Sequence, residues 1–303
     1  MHNFDETIAK LSNISQSELH HYGIEGVPFP SVPELKEVVE ICRSLLFPGY
    51  YGKSIVDGSL LYHMGVGVER LYEKLAKQIE AGLTFVQAEN EDRKSLHEHA
   101  RQCAQTFVDR LPELRNTLAT DVVAMYRNDP AAHNLGEVIL CYPGMRAITN
   151  YRIAHLLEVL QVPLIPRMIT ELAHSETGID IHPGATIGES FAIDHGTGVV
   201  IGATAILGHH VTLYQGVTLG AKNFPQEEDG SLVKGIERHP ILGNHVVVYA
   251  NATILGRINI GDNAVIGGNL WITRNVPADT KIFYKQDPQH LVYVASTFDD
   301  YQI

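Results

Sequence analysis

Cysteine is scarce in this chain: of 303 residues only Cys42, Cys103 and Cys141 carry a thiol, an odd number with no CxxC pair. That excludes the disulfide framework that braces small secreted folds, and three free thiols in a reducing compartment are expected. Basic residues are also short, Lys+Arg 23 against Asp+Glu 35, for a formal charge of -12. Phosphate attraction needs the opposite surplus, so neither nucleic acid nor an anionic membrane is an expected partner. No stretch reaches the roughly 18 uninterrupted apolar residues of a membrane-spanning helix. Met1–Glu6 are acidic and no apolar run follows them, so no secretory leader is visible and the expected location is cytoplasmic.

What is present is an ordinary globular composition, 45% hydrophobic, on a chain longer than the roughly 250 residues at which single cores stop growing. Two regions with different periods follow. Up to about residue 175 apolar residues recur at three and four. Leu35, Val38, Val39, Cys42, Leu45 and Leu46 make one helix face, opened near Pro33 and stopped at Pro48-Gly49. Further faces are Val68–Ile79, Leu96–Phe107, Leu118–Tyr126 and Ile148–Leu160, so this region is expected to be an all-helical domain, broken by Pro163 and Pro166.

From Gly178 the period becomes six. Every sixth residue, allowing for two breaks, is Ile181, Ile187, Ile193, Ile201, Leu207, Leu213, Leu219, Leu242, Val248, Ile254, Ile260, Ile266 and Ile272. All are branched aliphatics and many are followed by glycine, which identifies a solenoid of short strands with tight corners. Three strands make one triangular coil. A β-sandwich would alternate at two, with turns at a different spacing. The fold class is therefore α+β, a helical domain (1–175) followed by a β-helix (176–276) and a C-terminal tail (277–303).

A regular solenoid offers only shape, so chemistry is sought at the breaks. The first inserts two residues within Asp194-His195-Gly196-Thr197-Gly198; the second is an excursion from Ala221 to Pro240, with an acidic run at Glu227–Asp229 and Arg238-His239 at its return. His195 has a possible carboxylate partner fifteen residues earlier, Asp180, which would orient the imidazole as a general base; a turn-capping role is the alternative. Arg238 and His239 offer donors for a carboxylate, or are a solvated loop pair.

The set Asp180-Ile-His-Pro, Asp194-His-Gly-Thr-Gly, Val217-Thr-Leu-Gly and Arg238-His-Pro, in this order, resembles serine O-acetyltransferases, which open cysteine biosynthesis. The resemblance implies a left-handed parallel β-helix in a trimer, or a dimer of trimers, with acetyl-CoA in the groove between subunits and no cofactor beyond that co-substrate. It implies His195 as the base that takes the proton from the L-serine hydroxyl, with Asp180 its partner. It implies Asp129 and Asp194 for the serine ammonium, Arg238 and His239 for its carboxylate, and Gly220, Ala221, Ala250 and Gly268 along the coenzyme, with no metal. Family members that bind O-acetylserine sulfhydrylase end in an acidic tail with isoleucine, as this chain does at Asp299-Asp300-Tyr301-Gln302-Ile303.

Departures are Ala221 for the second glycine of the family's Leu-Gly-Gly, Glu237 before the Arg-His-Pro, the long excursion, and Lys281–Lys285 in place of the usual closing run. Three other readings compete, of which a structural trimerising module would leave the breaks in the repeat unexplained. Another is a hexapeptide-repeat acetyltransferase for a sugar or amine. The third is a zinc enzyme using His182, His209 and His210, although adjacent histidines face differently from a strand wall.

Overall fold

A computed structural model of the chain describes residues 4–12, 29–52, 59–87, 92–223, 225–286 and 291–295. Helices come first: α1 (Asp5–Ser12), α2 (Val32–Leu46), α3 (Leu60–Gln87), α4 (Arg93–Asp109), α5 (Leu111–Asn128), α6 (Leu135–Cys141), α7 (Pro143–Val159) and α8 (Ile165–Thr177). Helix α2 begins where its sequence dictates. The Ser31 side chain accepts the Glu34 N–H, Pro33 lies in the first turn, and the predicted face from Leu35 to Leu46 is buried. The expected break at Pro163 and Pro166 is corrected in one respect. Pro166 lies in the first turn of α8, where a missing N–H removes no bond, and the helical region continues to Thr177, ended by Gly178 at φ 70°.

The β-helix has three walls of parallel strands. Wall 1 contains β1 (Asp180–Ile181), β4 (Val200–Ile201), β7 (Thr218–Gly220), β10 (Thr253–Leu255) and β13 (Trp271–Ile272). Wall 2 contains β2 (Thr186–Ile187), β5 (Ile206–Leu207), β8 (Ile241–Leu242) and β11 (Asn259–Ile260). Wall 3 contains β3 (Ala192–Asp194), β6 (Thr212–Tyr214), β9 (Val247–Val248), β12 (Val265–Ile266) and β14 (Lys281–Gln286), with β15 (Leu291–Ala295) added antiparallel. All thirteen repeat aliphatics are buried in the axis, the least covered being Ile187 at 6% exposure. The tail expected from residue 277 thus begins as part of the solenoid, with Ile282 buried on the last rung of wall 3.

Regular coils return after 18 residues, as in the pairing of Val247 with Val265. The first coil does not: Asp180 pairs with Val200, because the residues around His195 lengthen its last corner. The excursion lengthens a later coil, so that Ile206 pairs with Ile241.

The open end of the first coil presents carbonyls that no further strand can reach, and α7 supplies donors for them. The Tyr151 hydroxyl donates to the Ala185 carbonyl at 2.6 Å, and Arg152 donates to those of Ile187 and Gly188, both at 2.6 Å. His155 Nδ1 donates to the Pro183 carbonyl at 2.8 Å. Arg152 also meets both oxygens of buried Asp121 of α5 at 3.0 Å, and Asp121 accepts the Phe191 N–H at 2.9 Å. Removing one partner of such a pair costs about 3–5 kcal/mol, so the helical region is held to the solenoid at a defined angle. That anchoring fixes the end of α5, where Asp129 stands.

Candidate functional site

Wall 1 separates two edges, and the sequence-predicted residues divide between them. The edge joining walls 3 and 1 carries His195, Gln215, Ala250 and Gly268, along a groove of about 430 Å³ that Asp194 and Tyr214 also line. The edge joining walls 1 and 2 carries His182, Gly220, Ala221 and the returning excursion with Arg238 and His239.

On the first edge His195 occupies the added corner, with left-handed backbone at φ 54° and its side chain 76% exposed. The carboxylate beside it is Asp194, with Oδ1 4.0 Å from His195 Nε2. Asp129, the C-cap of α5, approaches the same edge from the helical domain. Its Oδ1 accepts the Ala131 N–H at 2.8 Å and its Oδ2 accepts the Tyr142 hydroxyl. The Tyr142 hydroxyl, then the Ala131 N–H, hold the Asp129 carboxyl below the usual carboxylate range, and the same bond pushes Tyr142 up to about 12. Tyr214 stacks on Tyr249 with ring centroids 4.9 Å apart, forming one side of the groove. Gln215, which lines the groove, has its Oε1 buried with no hydrogen-bond partner among the described residues.

On the second edge the excursion returns in a fixed posture. Thr204 Oγ1 accepts the N–H groups of Arg238 at 3.0 Å and His239 at 3.2 Å. The Thr204 N–H donates to His239 Nδ1 at 3.1 Å, so Nδ1 is an acceptor and the ring proton sits on Nε2. Arg257 donates to the carbonyls of Thr204 and His239 at 2.6 and 3.1 Å and pairs with Glu237 at 3.0 Å. The His239 ring lies against Gly202, where any Cβ would overlap it. Burial, then the neighbouring charges of Arg238, His182 and Arg257, bring His239 down to about 4. His239 is therefore a neutral N–H donor at pH 7, Arg238 beside it carries the charge, and the Arg238 Nε is buried with no partner among the described residues.

Asp180 and His195 do not pair within one chain. Because the first coil takes twenty residues, a position fifteen residues on falls at the corner instead of on the rung above. The Asp180 carboxylate instead accepts Arg167 Nη1 at 3.3 Å. Glu171, His174 and Asp180 form the one cluster among the described residues with three potential metal-ligand atoms, and Arg167 ion-pairs with both of its carboxylates. The suspected zinc histidines are apart: His182 accepts the Gly184 N–H at the second edge, while His209 and His210 lie where walls 2 and 3 meet.

Tyr142, Thr204, Arg257 and Gln215 were not singled out from the sequence. Tyr142 acts from a helix start thirteen residues beyond Asp129, and Thr204 and Arg257 occupy corners whose composition resembles every other corner.

A family model for the N-terminal region of serine acetyltransferases matches residues 71–150. A plasmid serine acetyltransferase of Synechococcus elongatus is 44% identical over 289 residues, covering 93% of this chain and 91% of its own. The chain belongs to the serine acetyltransferase family. It is accordingly an acyltransferase. Serine acetyltransferase 1 of Entamoeba histolytica, solved with L-cysteine, superposes with a TM-score of 0.71 at 38% identity, over 81% of this chain and 85% of that one. A soybean serine acetyltransferase complexed with serine gives 0.53 at 26% identity, over 86% of this chain and 99% of that one. Among the described residues no helix is long and apolar enough to cross a membrane.

Proposed function

We propose that the enzyme transfers the acetyl group of acetyl-CoA directly to the L-serine hydroxyl, with His195 as general base, in a site shared by two subunits of a homotrimer. The observation that carries this reading is the division of complementary groups between the two edges of wall 1. One edge has the base and two carboxylates suited to an ammonium, Asp194 and Asp129; the other has Arg238, with a buried unpartnered Nε, and the His239 N–H, suited to a carboxylate. A zwitterion needs both sets. Exposed Val200 and Trp271, at 37% and 55%, give wall 1 apolar surface for subunit contact. In that assembly Asp180 of the neighbouring edge would face His195 across the interface. The same apposition would join Gly220 and Ala221 to Ala250 and Gly268 along the coenzyme.

In this mechanism His195 accepts the hydroxyl proton as the serine oxygen bonds to the thioester carbonyl carbon. The tetrahedral oxyanion is assigned to backbone N–H groups near Gly220. Collapse breaks the C–S bond, and His195 returns its proton to the coenzyme A sulfur, leaving O-acetyl-L-serine and no acyl-enzyme. No resident cofactor is required. The Entamoeba complex with L-cysteine supports cysteine as a competing occupant of the serine site. Three unpaired thiols, one of them exposed, support a cytoplasmic location. A sulfhydrylase partner rests on the resemblance of the terminal sequence; Ile303 lies outside the described residues, and a pull-down with Ile303 deleted tests it.

The decisive assay is thiol release from acetyl-CoA with and without L-serine, for the wild type, His195→Asn and Arg238→Ala. Asparagine tolerates the left-handed backbone of residue 195, so a loss of about 10²–10⁴-fold reads the base and not the fold. Equal mixtures of the two inactive variants, refolded together, should regain roughly a quarter of the activity, since a shared site needs one intact edge from each chain. No regain would put the site within one chain. If serine gives no more release than the blank, the acceptor assignment falls and a panel of sugars and amines follows.

A further inference from the structure

The third edge, between walls 2 and 3, has no part in the reaction described above. It is built as a ladder of left-handed residues, Ser190, His210, His245, Asn263 and Asp279, with φ between 57° and 59°. Four of them repeat one backbone bond: His210 N–H to Glu189, His245 to His209, Asn263 to Asn244 and Asp279 to Asp262, at 2.8–3.0 Å. Asparagine and aspartate suit such a rung because their short side chains tolerate it. Two successive imidazoles break the pattern. Their rings lie face to face, centroids 4.6 Å apart and 5° from parallel. On the rung before His210 stands Ser190, a single hydroxyl, so the column of rings stops one step short.

That step opens into a cavity of about 610 Å³, within the size range of small-molecule sites, lined by Ser190, His210, His245 and Val247 of the solenoid and by Ala124 and Arg127 of α5. Arg127 makes no ion pair or side-chain hydrogen bond among the described residues. Asp121, six residues earlier in α5, has both of its oxygens held by Arg152. Successive coils are about 4.8 Å apart, a spacing that admits one more flat ring in the column. A guanidinium with no partner fits a carboxylate through two parallel N–H donors.

We propose that this cavity binds a small planar aromatic carboxylate, its ring stacked on His210 above the Ser190 rung and its acid group on Arg127. The aliphatic groups of Ala124 and Val247 cover the ring edge. The site is separate from the catalytic groove: Thr212 lines this cavity, whereas Tyr214, two residues along the same strand, lines the groove.

The test is isothermal titration of the full-length enzyme, with coenzyme A present to occupy its own groove, using benzoate, cyclohexanecarboxylate and inorganic phosphate. Benzoate should bind once per chain and at least about tenfold more tightly than cyclohexanecarboxylate, which has the same charge without the flat ring. Arg127→Gln should weaken benzoate at least about tenfold. His210→Asn should weaken it about fivefold, and it keeps the ladder because asparagine occupies the equivalent rung at Asn263. Benzoate binding that is unchanged in both variants would overturn the proposal. So would equal affinity for the non-planar acid, preference for phosphate, or no binding up to about 10 mM. Arg127 is exposed and free of structural bonds, so its variant keeps the test valid if His210→Asn should lower stability.

Discussion

The two edges that flank wall 1 are built on opposite plans. The Arg238 edge is locked before any ligand arrives: Thr204 and Arg257 between them fix the backbone and ring of His239 by hydrogen bonds within the solenoid corner. The His195 edge is exposed and depends on a residue from another domain, Asp129, held by Tyr142. Rigidity at the Arg238 edge and exposure at the His195 edge suit the proposed site, which must orient an amino acid yet admit a thioester beside it. The comparison teaches that the β-helix supplies precision where its own corners can reach, and borrows from the helices where they cannot.

Three experiments sharpen that contrast. The largest effect is expected from Gly202→Ala, whose Cβ would overlap the His239 ring in a corner with no slack. Overpacking of this kind costs about 1–3 kcal/mol, and displacement of the Nε2 donor should raise the serine KM tenfold or more while the acetyl-CoA KM stays near wild type. An unchanged serine KM would mean that the locked posture does not matter. The next effect is on stability against pH. His239 falls to about 4 in the fold from an ordinary value near 6.5, so the unfolded chain takes up the proton first. Its stabilising contribution is present above about 6.5 and is lost as pH falls from there to about 4. Allowing for solvent screening of its charged neighbours, that loss is on the order of 1–2 kcal/mol. Urea unfolding of the wild type and His239→Asn across this range should differ in slope; parallel curves would overturn the assignment. The smallest effect is expected from Tyr142→Phe, which removes one donor from Asp129 and should raise the serine KM about threefold to tenfold at unchanged acetyl-CoA KM. An equal change in both KM values would make Tyr142 a general structural residue.

Much of the fold was legible because burial in a solenoid repeats. Each of Ile181 through Ile272 at the sixfold positions must point to the axis, and no tertiary accident can alter that without losing the core. The helices were read from their apolar faces, but Pro166 misled, since proline ends one helix and begins another with equal ease. Among the candidate site residues, the breaks in the repeat point to His195, Arg238 and His239, while Asp129, Gly220, Ala221, Ala250 and Gly268 enter only through the family resemblance. The partners of Arg238 and His239 were not legible: Thr204 sits at an ordinary corner, and its hydroxyl becomes important only because the excursion happens to return above it.

The sequence by itself determined the coil interior, the two places where the repeat is interrupted and the family to which those interruptions belong, because all three are local patterns along one chain. Only the tertiary structure decided which edge each candidate site residue occupies. A twenty-residue first coil separates Asp180 from His195, and α7, which satisfies the carbonyls of the first rung and pairs Arg152 with Asp121 of α5, sets the end of α5 with Asp129 near His195. Those placements depend on where a coil closes and what covers its end, which are sums over many residues and are written at no single one.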